Sequence, residues 1–124
     1  PGLMEHGFTH DEAAEIVANS VKLLLEAREE WWNAEGEAQG RVYPLCLAGI
    51  GPYGAYLADG SEYRGNYGVS DEALRTFHKE RMEILWNAGA DILLIETQPS
   101  LQEALIEAEI AEEMLFLQGR ASYS

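Results

Sequence analysis

Apolar residues recur at helical spacing in three segments of the sequence, which predicts three helices with one buried and one solvated face each. In the first segment these residues are Val17, Val21, Leu24, Leu25 and Trp31. In the second segment they are Leu74, Phe77, Met82, Leu85 and Trp86. In the third segment they are Leu101, Ala104, Leu105, Ala108 and Ala111.

Each predicted helix begins with residues that favour a helix N-terminus. Thr9 and Glu12 have the spacing of a capping box, in which each side chain accepts a hydrogen bond from the other residue's backbone N–H. Ser100 and Glu103 repeat this pattern before the third helix, and Ser70 precedes the second helix. The predicted helix ends lie near Gly36, Gly89 and Met114.

Two short apolar runs without alternation, residues 42–50 and 92–95, lie between the predicted helices. Such runs are typical of strands buried on both faces, as in a parallel sheet covered by helices. Residues 51–69 are rich in Gly and Tyr and predict a long, functional loop. The alternation of strands and helices predicts an α/β fold, and residues 121–124 are predicted to begin a further strand. Two or three apolar parallel strands would leave unpaired edges and need neighbouring strands on both sides. We therefore expect this chain to be part of a larger sheet.

The composition of the chain mainly excludes classes of partner and location. The chain has 124 residues, which favours a single domain, and 47% hydrophobic residues, which is enough for a packed core. Its 22 acidic and 8 basic residues give a net charge of −14, which disfavours nucleic acid and anionic membranes as partners. We find no apolar run of roughly 18 residues and no secretory signal, so a cytoplasmic location is expected.

The residue types that commonly bind metals form no recognisable set. Cys46 is the single cysteine and lies in an apolar run, so it is expected to be a buried core residue. His6, His10 and His78 show no metal-ligand spacing and are assigned to structure or surface. The sequence therefore predicts no metal site within this chain.

Three glycines at the end of the first apolar run and directly after it match the G-x-G-x-x-G pattern of dinucleotide-binding sites: Gly49, Gly51 and Gly54. Pro52 removes one backbone N–H from the turn, and Gly60 would end a following helix after a few residues. We therefore interpret the glycines as a turn that packs over a strand end.

Glu96 is the residue that most indicates a site. It follows the apolar run 92–95, and ligands of parallel α/β folds bind at the carboxyl ends of the strands. A carboxylate in that place is solvated, paired or bound to a cationic ligand group. Position alone leaves two interpretations open: a functional group, or a structural salt bridge or helix cap.

One long segment identifies a family. Residues 51–65 read Gly-Pro-Tyr-Gly-Ala-Tyr-Leu-Ala-Asp-Gly-Ser-Glu-Tyr-Arg-Gly and closely resemble the homocysteine S-methyltransferases, above all the bacterial enzymes that use S-methylmethionine. Residues 88–91 and 95–97 fit the same family in register. The resemblance extends from about Pro1 to Met114.

The resemblance implies a fold and a reaction. Family members are (β/α)8 TIM barrels that transfer a methyl group from S-methylmethionine or S-adenosylmethionine to homocysteine, which gives methionine. Residues 1–124 would then be a single fragment of that barrel, comprising about strands 3 and 4 with helices 2 to 4. The intact protein is expected to be a zinc-dependent methyltransferase of methionine biosynthesis.

The resemblance also assigns site residues. Glu96 matches the carboxylate that binds the homocysteine amino group, and Thr97 and Tyr53 are further candidates for substrate binding. The zinc of the family is held by three cysteines in segments that this chain does not contain, and Cys46 matches none of them. We therefore expect no catalytic residue and no metal ligand here, and an inactive fragment.

The expected partners are small molecules, homocysteine and a sulfonium methyl donor, and the isolated fragment is expected to self-associate through its strand edges. Two alternative functions stay open. The chain could be a non-catalytic acidic α/β association module, or part of a TIM-barrel enzyme of other chemistry with Glu96 as general acid or base.

Overall fold

The fold alternates helices with short parallel strands, as the sequence predicts. A computed structural model describes residues 1–117 of the chain. Its helices are α1 (Gly2–Glu5), α2 (His10–Trp31), α3 (Tyr53–Leu57), α4 (Asp71–Asn87) and α5 (Leu101–Leu117). Its strands are β1 (Leu47–Ile50) and β2 (Ile92–Ile95). A π-helical turn, Trp32–Gly36, continues α2, and a 3-10 turn, Ser61–Tyr63, follows α3.

The two strands pair in parallel, with Leu47 opposite Ile92 and Ile50 opposite Ile95. One face of this sheet packs on the helices and forms the core. The buried apolar residues are Val21, Cys46, Ala48, Ile50, Leu74, Met82, Leu85, Ala90, Ile106, Ile110 and Met114. The mixed helix and strand content and the parallel pairing confirm the α/β class.

The other face of the sheet is open within the described residues. It carries Leu47, Ile92 and Leu94, which are 46%, 39% and 40% exposed, and Leu45, which precedes β1, is 57% exposed. The prediction of strands buried on both faces is therefore wrong for residues 1–117. The strands are as apolar as this prediction required, but the described helices cover only one face of the sheet.

The predicted strand over 42–50 is too long, whereas the strand over 92–95 is confirmed. A parallel strand extends only as far as its neighbour pairs with it, and β2 offers four residues. Residues 42–46 therefore lie outside the sheet. The strand predicted over 121–124 lies outside the described residues.

The first capping box is confirmed. The Thr9 hydroxyl accepts from the Glu12 backbone N–H at 3.2 Å, and the Glu12 carboxylate accepts from the Thr9 N–H at 2.8 Å. At α5 only half of the motif forms, since Ser100 Oγ accepts from the Glu103 N–H at 3.4 Å and the Glu103 carboxylate bonds elsewhere. The helix also continues past the predicted end at Met114 to Leu117.

The long loop contains local helical turns that lacked a periodic signal. Close packing requires glycine at position 54 of this loop, because a Cβ on Gly54 would lie 2.5 Å from the Glu62 backbone nitrogen.

Across residues 1–117 each helix is too short or too polar to span a lipid bilayer.

Candidate functional site

Glu96 directly follows β2 and projects on the open face of the sheet. Ile92, Leu94 and Glu96 are exposed, whereas Leu93 and Ile95 between them are partly buried, so alternate side chains lie on the open face. The carboxylate lies over β1 at Gly49, where an added Cβ would come within 2.5 Å of Glu96 Oε1. Glycine at this position therefore leaves the space that the carboxylate occupies.

The Glu96 carboxylate has no protein partner in the part of the chain that the structure describes. Hydrogen bonds reach only its backbone: the Glu96 N–H donates to the Ile50 carbonyl at 3.1 Å, and the Glu96 carbonyl accepts from Gln98 at 3.2 Å. The geometry thus gives no support to a salt bridge or a helix cap. An exposed, unpaired carboxylate beside an apolar face is suited to bind a cationic group on a ligand.

Thr97 and Gln98 complete the turn after β2. Thr97 has a φ of 55°, in the left-handed region that β-branched residues rarely adopt. The Gln98 amide nitrogen lies 3.2 Å from three acceptors: the carbonyls of Ile50 and Glu96, and Glu107 Oε1. The turn is therefore fixed by contacts on both sides of Thr97.

Tyr53, the third residue predicted to bind substrate, lies in an aromatic cluster. Its ring centroid is 4.9 Å from that of Phe77, 5.5 Å from that of Tyr56 and 5.6 Å from that of Tyr67. Its backbone N–H donates to Glu103 Oε1 at 2.5 Å. These contacts bring the loop onto α4 and α5, and a contact of the Tyr53 ring with substrate stays a prediction.

Beneath the strand ends lies a cluster of ionisable side chains, His78, Arg81, Glu103 and Glu107, which we call the His78 cluster. His78, Glu103 and Glu107 are fully buried. His78 Nε2 lies 2.6 Å from Glu103 Oε1, and His78 Nδ1 lies 2.9 Å from Glu107 Oε1. Arg81 Nη2 is 2.9 Å from His78 Nδ1 and donates to the Gly51 carbonyl at 2.8 Å.

The shifts in pKa within the His78 cluster follow from burial and hydrogen bonding. Burial alone would lower the pKa of His78, but the hydrogen bonds to Glu103 and Glu107 outweigh it and raise the pKa. Burial also opposes ionisation of Glu103, yet the bonds from His78 and the Tyr53 N–H lower its pKa. At Glu107 burial dominates and raises the pKa. Burial likewise raises the pKa of the neighbouring Tyr67 to about 12, with a further contribution from Glu103.

The ligand atoms of His78, Glu103 and Glu107 lie within 4.8 Å of one another, which is close enough to hold a metal ion. Two features oppose this. The Arg81 guanidinium already supplies a positive charge beside these ligands and would repel a further cation. Full burial also leaves no open coordination position for a substrate thiolate. The His78 cluster does not fit a catalytic zinc centre.

Cys46 also fails to fit a zinc centre. Its side chain is 2% exposed and packs on the helix side of the sheet, away from the open face. Burial raises the pKa of the thiol, with a smaller contribution from the negative charge of Asp91. The expectation of a buried core cysteine is confirmed.

Glu103 was predicted only as a capping residue, and Glu107 was not predicted as a functional or buried residue. A signal was present, since both share a helical stripe with the buried Ile110 and Met114, at intervals of four, three and four residues. Acidic residues on the apolar stripe of a helix indicate buried partners. His78 was assigned to structure, and its burial agrees with that assignment.

A cavity of about 340 Å³ lies among the helices and reaches Gly51 and Pro52, directly after β1. It is mostly apolar, and Pro52, Tyr56, Phe77 and Ile84 are among its lining residues. The alternation of exposure places Glu96 on the opposite side of the sheet. The cavity therefore does not contain the Glu96 carboxylate, although it borders the turn after β1.

Fold and site together define an α/β protein with an exposed, unpaired carboxylate at the carboxyl end of a parallel strand, where ligands of such folds bind. The profile of the homocysteine S-methyltransferase family matches residues 2–120. The chain belongs to the homocysteine S-methyltransferase family.

Individual relatives agree with this assignment. Homocysteine S-methyltransferase YbgG of Bacillus subtilis is 46% identical over 112 residues, which are 90% of this chain and 36% of the relative. A betaine-homocysteine S-methyltransferase of Drosophila melanogaster is 44% identical over 106 residues, which are 84% of this chain and 32% of the relative. The chain thus spans about a third of the length of these relatives.

A solved structure gives the same result. The homocysteine methyltransferase MmuM from Escherichia coli, in its metallated form, superposes with a TM-score of 0.79 at 41% identity. The superposition covers 97% of this chain and 39% of MmuM. At this identity the similarity extends beyond the fold to the sequence.

Proposed function

We propose that the protein to which this chain belongs transfers a methyl group to homocysteine, and that this chain forms part of the homocysteine pocket. The unpaired Glu96 carboxylate carries the proposal. It lies at the edge of the sheet where substrates of parallel α/β folds bind, and it faces no cation of the described residues. The ammonium group of homocysteine supplies the missing positive charge.

The apolar open face below Glu96 fits the rest of this substrate. Leu94 and Ile92 continue from Glu96 toward the interior of the proposed barrel. Glu96 would bind the ammonium group while the side chain of homocysteine lies near apolar residues. Thr97, whose unusual backbone is fixed beside Glu96, is proposed as a second contact, and Tyr53 as a third.

The same face supports the proposed (β/α)8 barrel. Leu45, Leu47, Ile92 and Leu94 would be covered by the other strands once the barrel is closed. In the isolated chain they remain exposed beside unpaired strand edges, which favours self-association.

The proposal places the metal outside this chain. MmuM is described in a metallated form, and we propose zinc, which lowers the pKa of a bound thiol and so supplies a thiolate nucleophile. Neither Cys46, which is buried, nor the His78 cluster, which is buried beside the Arg81 guanidinium, fits such a centre. The role left to this chain is to bind and orient the amino-acid part of homocysteine.

The methyl donor is proposed to be a sulfonium, S-methylmethionine or S-adenosylmethionine. One relative is named as a betaine-homocysteine S-methyltransferase, so betaine is the alternative donor to be tested. The relatives favour methyl transfer over the two alternatives, an association module and another TIM-barrel chemistry. A cytoplasmic location stays a prediction from the sequence.

The test is a methyl-transfer assay on the full-length protein with homocysteine and each of S-methylmethionine, S-adenosylmethionine and betaine. We expect methionine from a sulfonium donor and a stoichiometric metal identified as zinc by elemental analysis. The 124-residue chain alone is the matched control and should form no methionine and bind no stoichiometric zinc. Failure of the full-length protein with every donor would contradict the proposal, and so would zinc bound by the isolated chain and lost in Cys46→Ser.

A further inference from the structure

We propose that the His78 cluster is a positioning device: it fixes the turns after β1 and β2 and thereby sets the affinity of the site for homocysteine. The inference rests on the proposed function, since it concerns the same site. No member of the cluster is proposed to touch substrate. Each acts through the backbone or side chain that it holds.

The cluster holds the first turn at two points. Glu103 Oε1 accepts from the Tyr53 N–H at 2.5 Å, and Arg81 donates to the Gly51 carbonyl at 2.8 Å. These bonds lie on either side of Pro52, whose φ is restricted by its ring. Since the two side chains come from different helices, the turn is fixed relative to both α4 and α5.

The cluster reaches the second turn through Gln98. The Gln98 amide connects Glu107 Oε1 to the carbonyls of Ile50 and Glu96, each at 3.2 Å. The neighbouring Thr97 has a φ of 55°, which is costly for a β-branched residue and persists only where the surroundings impose it. Gln98 is therefore the link between the cluster and the backbone that carries Glu96.

Stability alone does not account for this arrangement. Buried ionisable groups stabilise a fold no better than well-packed apolar residues of the same volume. Apolar residues at these positions would, however, leave the Tyr53 N–H and the Gly51 carbonyl without their present partners. What the cluster adds is a fixed position for the two turns.

The first test compares Glu107→Leu, Glu107→Gln and Gln98→Met in the full-length protein. Gln98→Met keeps the shape of the side chain and removes the amide, and Glu107→Gln keeps an oxygen that Gln98 can bond. We expect Gln98→Met and Glu107→Leu to raise the KM for homocysteine about 3- to 30-fold, with kcat and the donor KM nearly unchanged. Glu107→Gln should stay close to wild type.

The control and the double variant separate positioning from stability. Glu109→Gln removes an acidic charge from the exposed side of the same helix and should leave the KM for homocysteine unchanged. Because Glu107 and Gln98 act through one contact, the double variant Glu107→Leu/Gln98→Met should raise KM no more than the stronger single variant. A lower melting temperature with an unchanged KM in Gln98→Met would overturn the proposal.

A second readout is independent of activity. The backbone N–H of Tyr53 should exchange with deuterium about tenfold faster or more in Glu103→Leu than in wild type, and at the wild-type rate in Glu109→Gln. Unchanged exchange at Tyr53 would contradict the proposed positioning even in an active enzyme. If the wild-type enzyme transfers no methyl group, the proposed function fails, and the exchange rates still decide whether the cluster positions the turn.

Discussion

The strand β2 has a carboxylate at each end, and the two differ in their partners. Before the strand, Asp91 Oδ2 accepts from the Cys46 backbone N–H and from Arg28 Nη1, each at 2.7 Å. After the strand, the Glu96 carboxylate receives no bond from the described residues. The comparison teaches that two acids at the ends of one strand differ in their partners: Asp91 is held by internal bonds, whereas Glu96 is left available to a ligand.

Electrostatics agree with this difference. The Cys46 N–H and the Arg28 guanidinium together lower the pKa of Asp91. Arg28 is held in turn by the Pro44 carbonyl at 3.3 Å and lies over the Tyr43 ring at 4.6 Å. The amino end of the strands is therefore closed by internal bonds, whereas the carboxyl end keeps a charge available. Parallel α/β barrels divide stability and function between their two faces in the same way.

Removal of the Asp91 side chain should produce the largest effect on stability. In the full-length protein Asp91→Ala loses two charge-assisted hydrogen bonds and leaves the Cys46 N–H without a partner, at a cost of about 2–3 kcal/mol. Thermal unfolding measures the loss. The KM for homocysteine should not change, and Glu26→Ala, which removes an exposed acid of α2, should have little effect on either quantity. A raised KM for homocysteine in Asp91→Ala would contradict the distinction between a structural acid before β2 and a binding acid after it.

Gly49→Ala should affect the opposite end. The added methyl group would meet Glu96 Oε1, so the carboxylate must leave its position. A displaced rotamer costs about 0.5–1.5 kcal/mol, which corresponds to about a 2- to 12-fold rise in the KM for homocysteine. The melting temperature and the donor KM should stay close to wild type, because the displaced atom belongs to the end of a flexible side chain. Steady-state kinetics with each substrate varied in turn would show whether the effect is confined to homocysteine.

The smallest expected effect concerns acid stability. Because the pKa of Asp91 is lower in the folded protein than its ordinary value of 3.8, the stabilisation that it provides is fully present above about pH 4. It is lost as the pH falls through the folded pKa. Asp91→Asn should therefore lose less melting temperature than wild type between pH 5 and pH 3. Parallel pH profiles would contradict this assignment.

Much of this picture could be predicted because local signals determine it. The capping residues Thr9, Ser70 and Ser100 define where three helices begin, and the apolar run 92–95 defines β2. Glu96 was identified as the candidate from its place after that run. These features depend on neighbours in sequence, which the pattern records directly.

The remaining features depend on contacts that are distant in sequence. Glu103 has the spacing of a capping box, but its carboxylate bonds to His78 and to the Tyr53 N–H, 25 and 50 residues away. The length of β1 depends on how much of it β2 can pair with. Thr97 adopts a left-handed backbone that a β-branched residue would not adopt by its own preference. The place of Glu103 on the apolar stripe of α5 indicates a buried partner but does not identify that partner, and the length of β1 and the backbone of Thr97 have no local signal.

The most direct test of the central claim compares homocysteine with 4-sulfanylbutanoate, which lacks only the amino group, as ligands of the full-length protein. If Glu96 binds the ammonium group, wild type should bind homocysteine about 10- to 100-fold more tightly than the analogue. Glu96→Gln should lose most of this preference, whereas Asp91→Asn should retain it. Titration calorimetry of the three proteins with both ligands measures the preference. A Glu96→Gln variant that still prefers homocysteine as strongly as wild type does would contradict the claim.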